Sequence, residues 1–390
     1  MKKIEVKSLQ AGLIFTHPVY IEGNNLLVPA GIAVRKKDIE RLSSWGIDTV
    51  ETDGELTTGS QRNLAGIAEE SKPAESAPSP LVLPEVQEDK GPYRSYRVLI
   101  ERLDEVFTNT GSGVAVNFQT VDDIIEKLLQ AVREHRDNMI RYILGGEISG
   151  HELAKSSVNT AILSAFIAME FNIPQYKIMQ IVTGALLHDV GMLKLPEKIL
   201  NKRGGLSETE LRSMHAHPLY AYQIICKEMH YPEEVGLVAL QHHERWDGEG
   251  YPRHLAGEAI DLGSRIVSVA DAFEAMVSQK PYRNSIVGYQ AMKNLLSDNS
   301  RRFDPKVLKV FIKTMGIYPI GSIVLLNNGT LARVVEVQGT APLRPKIRVL
   351  IDEFGKTYKK DAGEVINLLA EKGLFISRAV DPRGLTKRRE

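Results

Sequence analysis

The run Ala185-Leu186-Leu187-His188-Asp189-Val190-Gly191 sets the hardest condition on how this chain can fold. It ends an apolar helix with two ionisable side chains, and an unpaired charge in a core is costly. A fold that buries this helix must bring partners to His188 and Asp189. The chain offers them in His242-His243, which lead into the polar, glycine-rich loop Glu244-Arg245-Trp246-Asp247-Gly248-Glu249-Gly250-Tyr251-Pro252. It offers His217 before Pro218, Asp271 within Val269-Ala270-Asp271-Ala272, and Glu152 at the start of a helix. Imidazole with carboxylate is the ligand set of a catalytic divalent metal site. Adjacent side chains on a helix diverge by ~100°, so His188-Asp189 can hold two sides of a cluster, with the Asp189 carboxylate able to bridge two metals, and His242-His243 repeat the arrangement. Each residue alone has an ordinary explanation; their joint pattern points to a metal centre. Histidines 135, 151, 215, 230 and 254 are read as ordinary structural residues, as is His17 in a strand.

The organisation around that centre is mainly α. Residues 93–315 read as an all-helical core. Expected helices are Tyr93–Thr108, Thr120–Leu144 with Thr120 and Asp123 as a capping box, Glu152–Phe171 and Gln175–His188. A helix from a Ser207/Glu210 capping box to about Met229, one opened by Pro232, then Asp261–Ser278, Ser285–Leu296 and one from Asp304-Pro305 complete it. Residues 1–56 form a small α+β module: strand Leu13–Ile21, a turn at Gly23-Asn24, return strand Leu26–Val28, helix Lys36–Trp45 and strand Ile47–Val50. Residues 57–92, rich in Pro, Ser and Ala, form a flexible linker. Residues 317–377 alternate with period two, with strands Ser322–Leu326, Leu331–Val337 and Lys346–Ile351 and a hairpin turn at Asn328-Gly329; a small β-barrel-like module is expected. A basic tail, 378–390, follows.

Bulk properties exclude several classes. Lys+Arg and Asp+Glu both number 49, which argues against binding duplex nucleic acid, because phosphate neutralisation needs a basic excess. Cys226 is the only cysteine, so no intrachain disulfide forms, which fits a reducing cytoplasm. No apolar core follows Met1-Lys2-Lys3, so no signal peptide is expected. The uncharged run Ser156–Met169 is 14 residues, short of the ~20 a membrane span needs.

Over roughly residues 145–315 the chain resembles the HD-GYP proteins, a branch of the HD metal-dependent phosphohydrolases. The resemblance rests on His188-Asp189-Val190-Gly191, Ile199-Leu200-Asn201-Lys202, His217-Pro218, His242-His243-Glu244 and Asp247-Gly248-Glu249-Gly250-Tyr251-Pro252. It continues through Arg265-Ile266-Val267, Ala270-Asp271-Ala272-Phe273 and Lys280-Pro281-Tyr282-Arg283. It implies hydrolysis of cyclic di-GMP to pGpG and GMP with two or three iron or manganese ions. It also implies that His188, Asp189, His217, His242, His243 and Asp271 are metal ligands, with His188 and Asp189 the catalytic pair, and Glu152 a ligand of a third metal. Tyr251, Lys280 and Arg283 are implied to contact guanine or phosphate. A two-metal site of this kind activates a water and holds phosphoryl oxygens for in-line attack.

Two positions depart from the family. Met192 stands where it has a lysine facing phosphate, with Lys194 two residues on, and Ser156 stands where it has a histidine one turn after Glu152. His151 lies ~140° round the helix from Ser156 and does not replace that ligand. The expectation is a weakened cyclic di-GMP phosphodiesterase. The alternative is a degenerate, non-catalytic module that binds the nucleotide or partner proteins. A different phosphohydrolase substrate, such as a mononucleotide, is disfavoured by the Gly-Tyr-Pro loop. Helices within 93–144 or the terminal modules are the expected surfaces for a homodimer or signalling partner.

Overall fold

The computed structural model describes residues 2–10, 12–17, 19–21, 25–28, 34, 39, 49–57, 91–114, 118–145, 150–200, 202, 204–278, 288–297, 301–358 and 362–381. The expected Gly23-Asn24 turn, nearly all of the Lys36–Trp45 helix, the linker and most of the basic tail lie outside these residues. The chain divides into two compact units, Met1–Ser76 and Ala77–Glu390.

In the first unit, β1 (Lys2–Glu5), β3 (Val19–Ile21), β4 (Asn25–Val28) and β5 (Thr49–Thr52) make an antiparallel sheet in the order β1-β5-β3-β4. β2 (Ile14–Phe15) pairs with β6 (Leu56–Thr57). The expected strand Leu13–Ile21 is therefore two strands, interrupted before Val19 and assigned to different sheets. Val6, Leu9, Phe15, Val19, Val34 and Val50 form its core.

The second unit is mainly helical. Its first helix, α1 (Pro92–Gly111), carries Pro at the start, where a missing N–H costs nothing. It buries Tyr96, Leu99, Ile100, Leu103, Val106 and Phe107 along one helical stripe. The expected single helix over 120–144 is two, α2 (Phe118–Glu134) and α3 (Arg136–Gly145), interrupted at His135. Because α2 begins at Phe118, Thr120 lies inside it rather than capping it. The central element is α4 (Glu152–Glu170), buried nearly all round from Ser156 to Ala168, which is why its sequence lacks an amphipathic pattern. α5 (Gln175–Leu187) packs on it and carries the apolar run that ends at His188.

After a 3₁₀ turn, Val190–Lys194, come the short α6 (Glu197–Leu200) and α7 (Glu208–Met214), the latter opened by the expected Ser207/Glu210 capping box. The helix expected to run on to Met229 breaks at His215-Ala216 and restarts as α8 (His217–Gln223), followed by a π turn, Ile224–Glu228. Pro218 explains the restart, since it lacks the N–H that would continue the helix by bonding the Met214 carbonyl, and proline is accepted in a first turn. α9 (Glu233–Gln241), α10 (Leu262–Val277), α11 (Gly288–Ser297) and α12 (Pro305–Met315) complete the helices, with Asp261 and Asp304 capping α10 and α12.

The C-terminal part is a five-stranded antiparallel sheet ordered β10-β9-β8-β7-β11. Its strands are β7 (Ile323–Leu326), β8 (Leu331–Glu336), β9 (Lys346–Ile351), β10 (Val365–Asn367) and β11 (Ile376–Val380). The expected barrel is not closed. Closure requires the first and last strands to pair, whereas β10 and β11 stand at opposite edges, and β10 has only three residues with which to pair. No helix among the described residues is long and apolar enough to cross a membrane.

Candidate metal centre

Three histidines are set by one local device. The Nδ1 of His188 lies 2.7 Å from the Ala185 carbonyl, that of His217 2.7 Å from the Met214 carbonyl, and that of His242 2.6 Å from the Ala239 carbonyl. A carbonyl only accepts, so each Nδ1 carries the proton and each Nε2 is left as a lone-pair donor for a metal. His188 and His242 stand at the C-terminal ends of α5 and α9, and His217 opens α8. The break at His215-Ala216 is thus what frees the Met214 carbonyl to hold the His217 ring. Gly191 lets the turn after Asp189 pass against α8: a Cβ there would lie 2.0 Å from the His217 carbonyl oxygen and 2.5 Å from the Ala221 nitrogen.

These rings converge on Asp189. Its Oδ1 lies 3.2 Å from His217 Nε2 and 3.8 Å from His242 Nε2, while its Oδ2 lies 3.4 Å from His188 Nε2. His188 Nε2 is 3.7 Å from Asp271 Oδ1. The His243 ring packs 3.9 Å from that of His242 and 5.0 Å from that of His217. One carboxylate therefore straddles two lobes, His217/His242/His243 on one side and His188/Asp271 on the other. Asp189, His217, His242 and His243 each offer a ligand atom within 4.8 Å of the others.

The donor chemistry fits a cation. His217 Nε2 and His242 Nε2 face each other at 3.4 Å. With both protons on Nδ1, lone pair meets lone pair beside a carboxylate, an arrangement that only a cation or added protons relieve. His188 Nε2 is buried and makes no well-formed hydrogen bond among the described residues. Burial opposes charge on His188, but Asp189 and Asp271 outweigh it and hold its pKa well above the ordinary imidazole value, so its Nε2 carries a proton that a bound metal would displace. Burial likewise opposes charge on Asp189, yet His188 and His217 keep its carboxyl well below the usual range. Burial opposes charge on Asp271 too, and His188 and His243 lower its carboxyl below the ordinary value. Burial and neighbouring imidazoles push His242 and His243 well below the ordinary value, so both rings are neutral near pH 7 and free to ligate.

The loop after His243 folds back over the cluster. Glu244 is buried, and its carboxylate accepts from the Arg253 N–H at 2.6 Å and the Leu255 N–H at 3.0 Å. A Cβ on Gly250 would fall 2.4 Å from the Arg245 nitrogen, so only glycine permits this approach. Tyr251 N–H donates to the His243 carbonyl at 3.2 Å. The Tyr251 ring stacks on His215 with centroids 3.9 Å apart and planes 12° apart, and lies 4.8 Å from the His243 ring. Burial, with Asp189 and Asp271, raises the Tyr251 pKa, Arg302 opposing, so the hydroxyl stays protonated and can donate.

His188, Asp189, His217, His242, His243, Asp271 and Tyr251 are thus brought together. Glu152 is exposed in the first turn of α4 and is not in the four-residue ligand group. Lys280 and Arg283 lie outside the described residues. Met192 is half-buried, and the Lys194 ammonium lies 3.6 Å from Glu228. Ser156 is buried and donates to Glu274 Oε2 at 2.6 Å. Three residues escaped the sequence reading: His215, Glu244 and Glu274. His215 had one available signal, its place two residues before His217.

The sequence matches the family described as HD domain over residues 123–307 and that described as KOW domain associated with HD domain over residues 323–388. It is 27% identical over 372 residues to a cyclic di-GMP phosphodiesterase of Pseudomonas aeruginosa, covering 91% of this chain and 86% of that protein. It is 30% identical over 267 residues to the cyclic di-GMP phosphodiesterase PdeB of Borreliella burgdorferi, covering 68% of this chain and 70% of that protein. A 3'3'-cGAMP-specific phosphodiesterase of Vibrio cholerae is 39% identical over 137 residues, 34% of this chain and 31% of that protein. The fold and the His/Asp cluster define an HD-domain protein with a site that could hold metal. Within that class, the chain belongs to the HD-GYP-type cyclic di-GMP phosphodiesterase family.

Proposed function

We propose that this chain is a metal-dependent phosphodiesterase that hydrolyses cyclic di-GMP to pGpG and GMP, and that Met192 weakens it. The observation that carries this reading is the convergence of lone-pair Nε2 atoms on the Asp189 carboxylate beneath the Tyr251 loop. His217, His242, His243 and Asp189 would hold one divalent ion, and His188, Asp271 and Asp189 a second. Oxygen with imidazole nitrogen suits iron or manganese. Bound there, such ions supply Lewis acidity and an activated water for in-line attack on phosphorus. The residues of the chain do the rest. The carbonyls of Ala185, Met214 and Ala239 keep the ligand tautomers. Tyr251 offers a protonated hydroxyl to a phosphate or guanine oxygen, backed by His215. Lys280 and Arg283 supply cations to the phosphates. Residues 93–144 and the terminal modules serve assembly or partner binding.

The second reading, a nucleotide-binding module without catalysis, draws on Met192 and on the pairing of Lys194 with Glu228, which leaves no cation next to Gly191 on that turn. One experiment separates them. Protein loaded anaerobically with iron or manganese is assayed for bound metal and for turnover of cyclic di-GMP, with 3'3'-cGAMP as competitor. Retained metal with pGpG formation is expected. Tight cyclic di-GMP binding without any pGpG would establish the non-catalytic module, and preferential turnover of 3'3'-cGAMP would reassign the substrate.

A further inference from the structure

α4 and α10 meet across a buried polar network. The Glu274 carboxylate accepts from Ser156 at 2.6 Å, from the Asn159 amide at 3.3 Å, and from the Ser278 hydroxyl just beyond α10. The Tyr96 hydroxyl of α1 donates to Asn159 Oδ1 at 2.7 Å. Tyr96, Asn159 and Glu274 are each 0% exposed, and Ser156 is 6% exposed. A buried carboxylate is costly unless hydrogen-bonded. Once satisfied, such a network fixes one arrangement of the helices that carry it.

The arrangement fixed here bears on the metal centre. Glu274 lies one turn beyond Asp271 on α10, so the two share a face. Ser156 and Asn159 belong to α4, on which α5, the helix leading to His188, also packs. Tying Glu274 to α4 therefore sets the rotation of α10 that leaves Asp271 Oδ1 3.7 Å from His188 Nε2. The network also uses the Ser156 hydroxyl. An imidazole at 156 would enter a fully packed position with a carboxylate oxygen 2.6 Å from the present hydroxyl. It would displace the network before it reached a metal.

We propose that Glu274 is the positioning residue of this centre, clamping α10 to α4 so that Asp271 meets His188. Ser156 belongs to this clamp rather than to a third metal, and the centre holds at most two ions. The proposal rests on the metal-centre reading above.

The test uses the full chain, stripped of metal and titrated with Mn²⁺. Bound Mn per chain, Mn dissociation constant, thermal melt and the separate kcat and KM for cyclic di-GMP are measured for wild type, Glu274→Ala, Glu274→Gln, Ser156→Ala and Ser156→His. Wild type should bind no more than two Mn. Glu274→Ala should weaken Mn binding about 10–100-fold, as the loss of a residue orienting a ligand does, and lower kcat more than it raises KM. Glu274→Gln and Ser156→Ala, each losing part of the network, should weaken Mn several-fold, and Ser156→His should not raise the count. Three Mn in wild type, a third Mn in Ser156→His, or wild-type Mn affinity in folded Glu274→Ala overturns the proposal. If Glu274→Ala does not fold, unchanged affinity in both Glu274→Gln and Ser156→Ala overturns it instead. A wild type that binds Mn but leaves cyclic di-GMP intact refutes the substrate reading alone; one that binds no Mn refutes both.

Discussion

Glu244 sits between the proposed ligand His243 and the loop, and its loss should loosen the loop without emptying the centre. Its buried carboxylate accepts two backbone N–H groups, Arg253 at 2.6 Å and Leu255 at 3.0 Å, and so closes the loop that carries Tyr251. A hydrogen bond to a charged group contributes about 1.5–3 kcal/mol. Both N–H groups lie near the rim, where water recovers part of that loss, so Glu244→Ala should cost about 2–4 kcal/mol of loop closure. Glu244→Gln retains one acceptor but turns an NH₂ toward the other donor, for about 1–2 kcal/mol. At about 1.4 kcal/mol per decade, amide hydrogen exchange across 253–255 should accelerate roughly 30- to 1,000-fold in the alanine variant and about 5- to 30-fold in the glutamine variant. KM for cyclic di-GMP should rise while bound Mn stays at the wild-type level, because Tyr251 loses its place over His243 but no ligand moves. Wild-type exchange at Arg253 and Leu255 in Glu244→Ala would refute the reasoning, as would loss of Mn with KM unchanged.

Gly191→Ala places a Cβ 2.0 Å from the His217 carbonyl oxygen, a clash with backbone that only a shift of α8 relieves. It should cost at least about 1–3 kcal/mol and reduce Mn affinity; a wild-type melt with full Mn content would contradict this. His215→Ala removes the stack behind Tyr251, worth about 0.5–1.5 kcal/mol, and should raise KM several-fold at constant Mn content, with His215→Phe restoring it. A fall in kcat at unchanged KM would count against that role. The Glu210 carboxyl, held by Lys202 and the Ser207 N–H, is lowered from 4.5 to about 2. A depressed folded-state pKa means its contribution is complete above about pH 4.5 and disappears as pH falls toward 2. Thermal melts from pH 6 to 2 should therefore fall more steeply for wild type than for Glu210→Gln, and parallel curves would dismiss the effect.

Much of the fold was legible because boundaries were written locally. Pro232, Asp261 and the Ser207/Glu210 box open helices where the sequence places them. Features that depend on distant contacts were not. The edge positions of β10 and β11, which leave the C-terminal sheet open, follow from pairing across the whole segment. β1, Lys2–Glu5, is mostly charged and gains strand geometry only by pairing with Thr49–Thr52. The same division governs the site. His188-Asp189 and His242-His243 are visible as pairs at the ends of apolar helices. Glu244 and Glu274 look like surface glutamates, because what buries them is two loop N–H groups in one case and a serine 118 residues away in the other.

The two departures from the family pattern look equivalent in sequence and are unlike in structure. Ser156 is occupied, donating to Glu274 within a packed network. Met192 is half-buried on the turn after Asp189, and the nearest cation along that turn, Lys194, is engaged with Glu228. On the proposed phosphodiesterase reading, only the second position then lacks a group, the cation that the family resemblance places toward phosphate. Single substitutions toward the family residues should then move activity in opposite directions. Met192→Lys should raise kcat for cyclic di-GMP on the order of tenfold, since one well-placed donor to a developing phosphoryl charge is worth that or more. Ser156→His should lower both kcat and the melting temperature by breaking the hold of α4 on α10. Equal gains from both substitutions would mean that the chain has lost two catalytic groups and that the buried network at Glu274 is incidental.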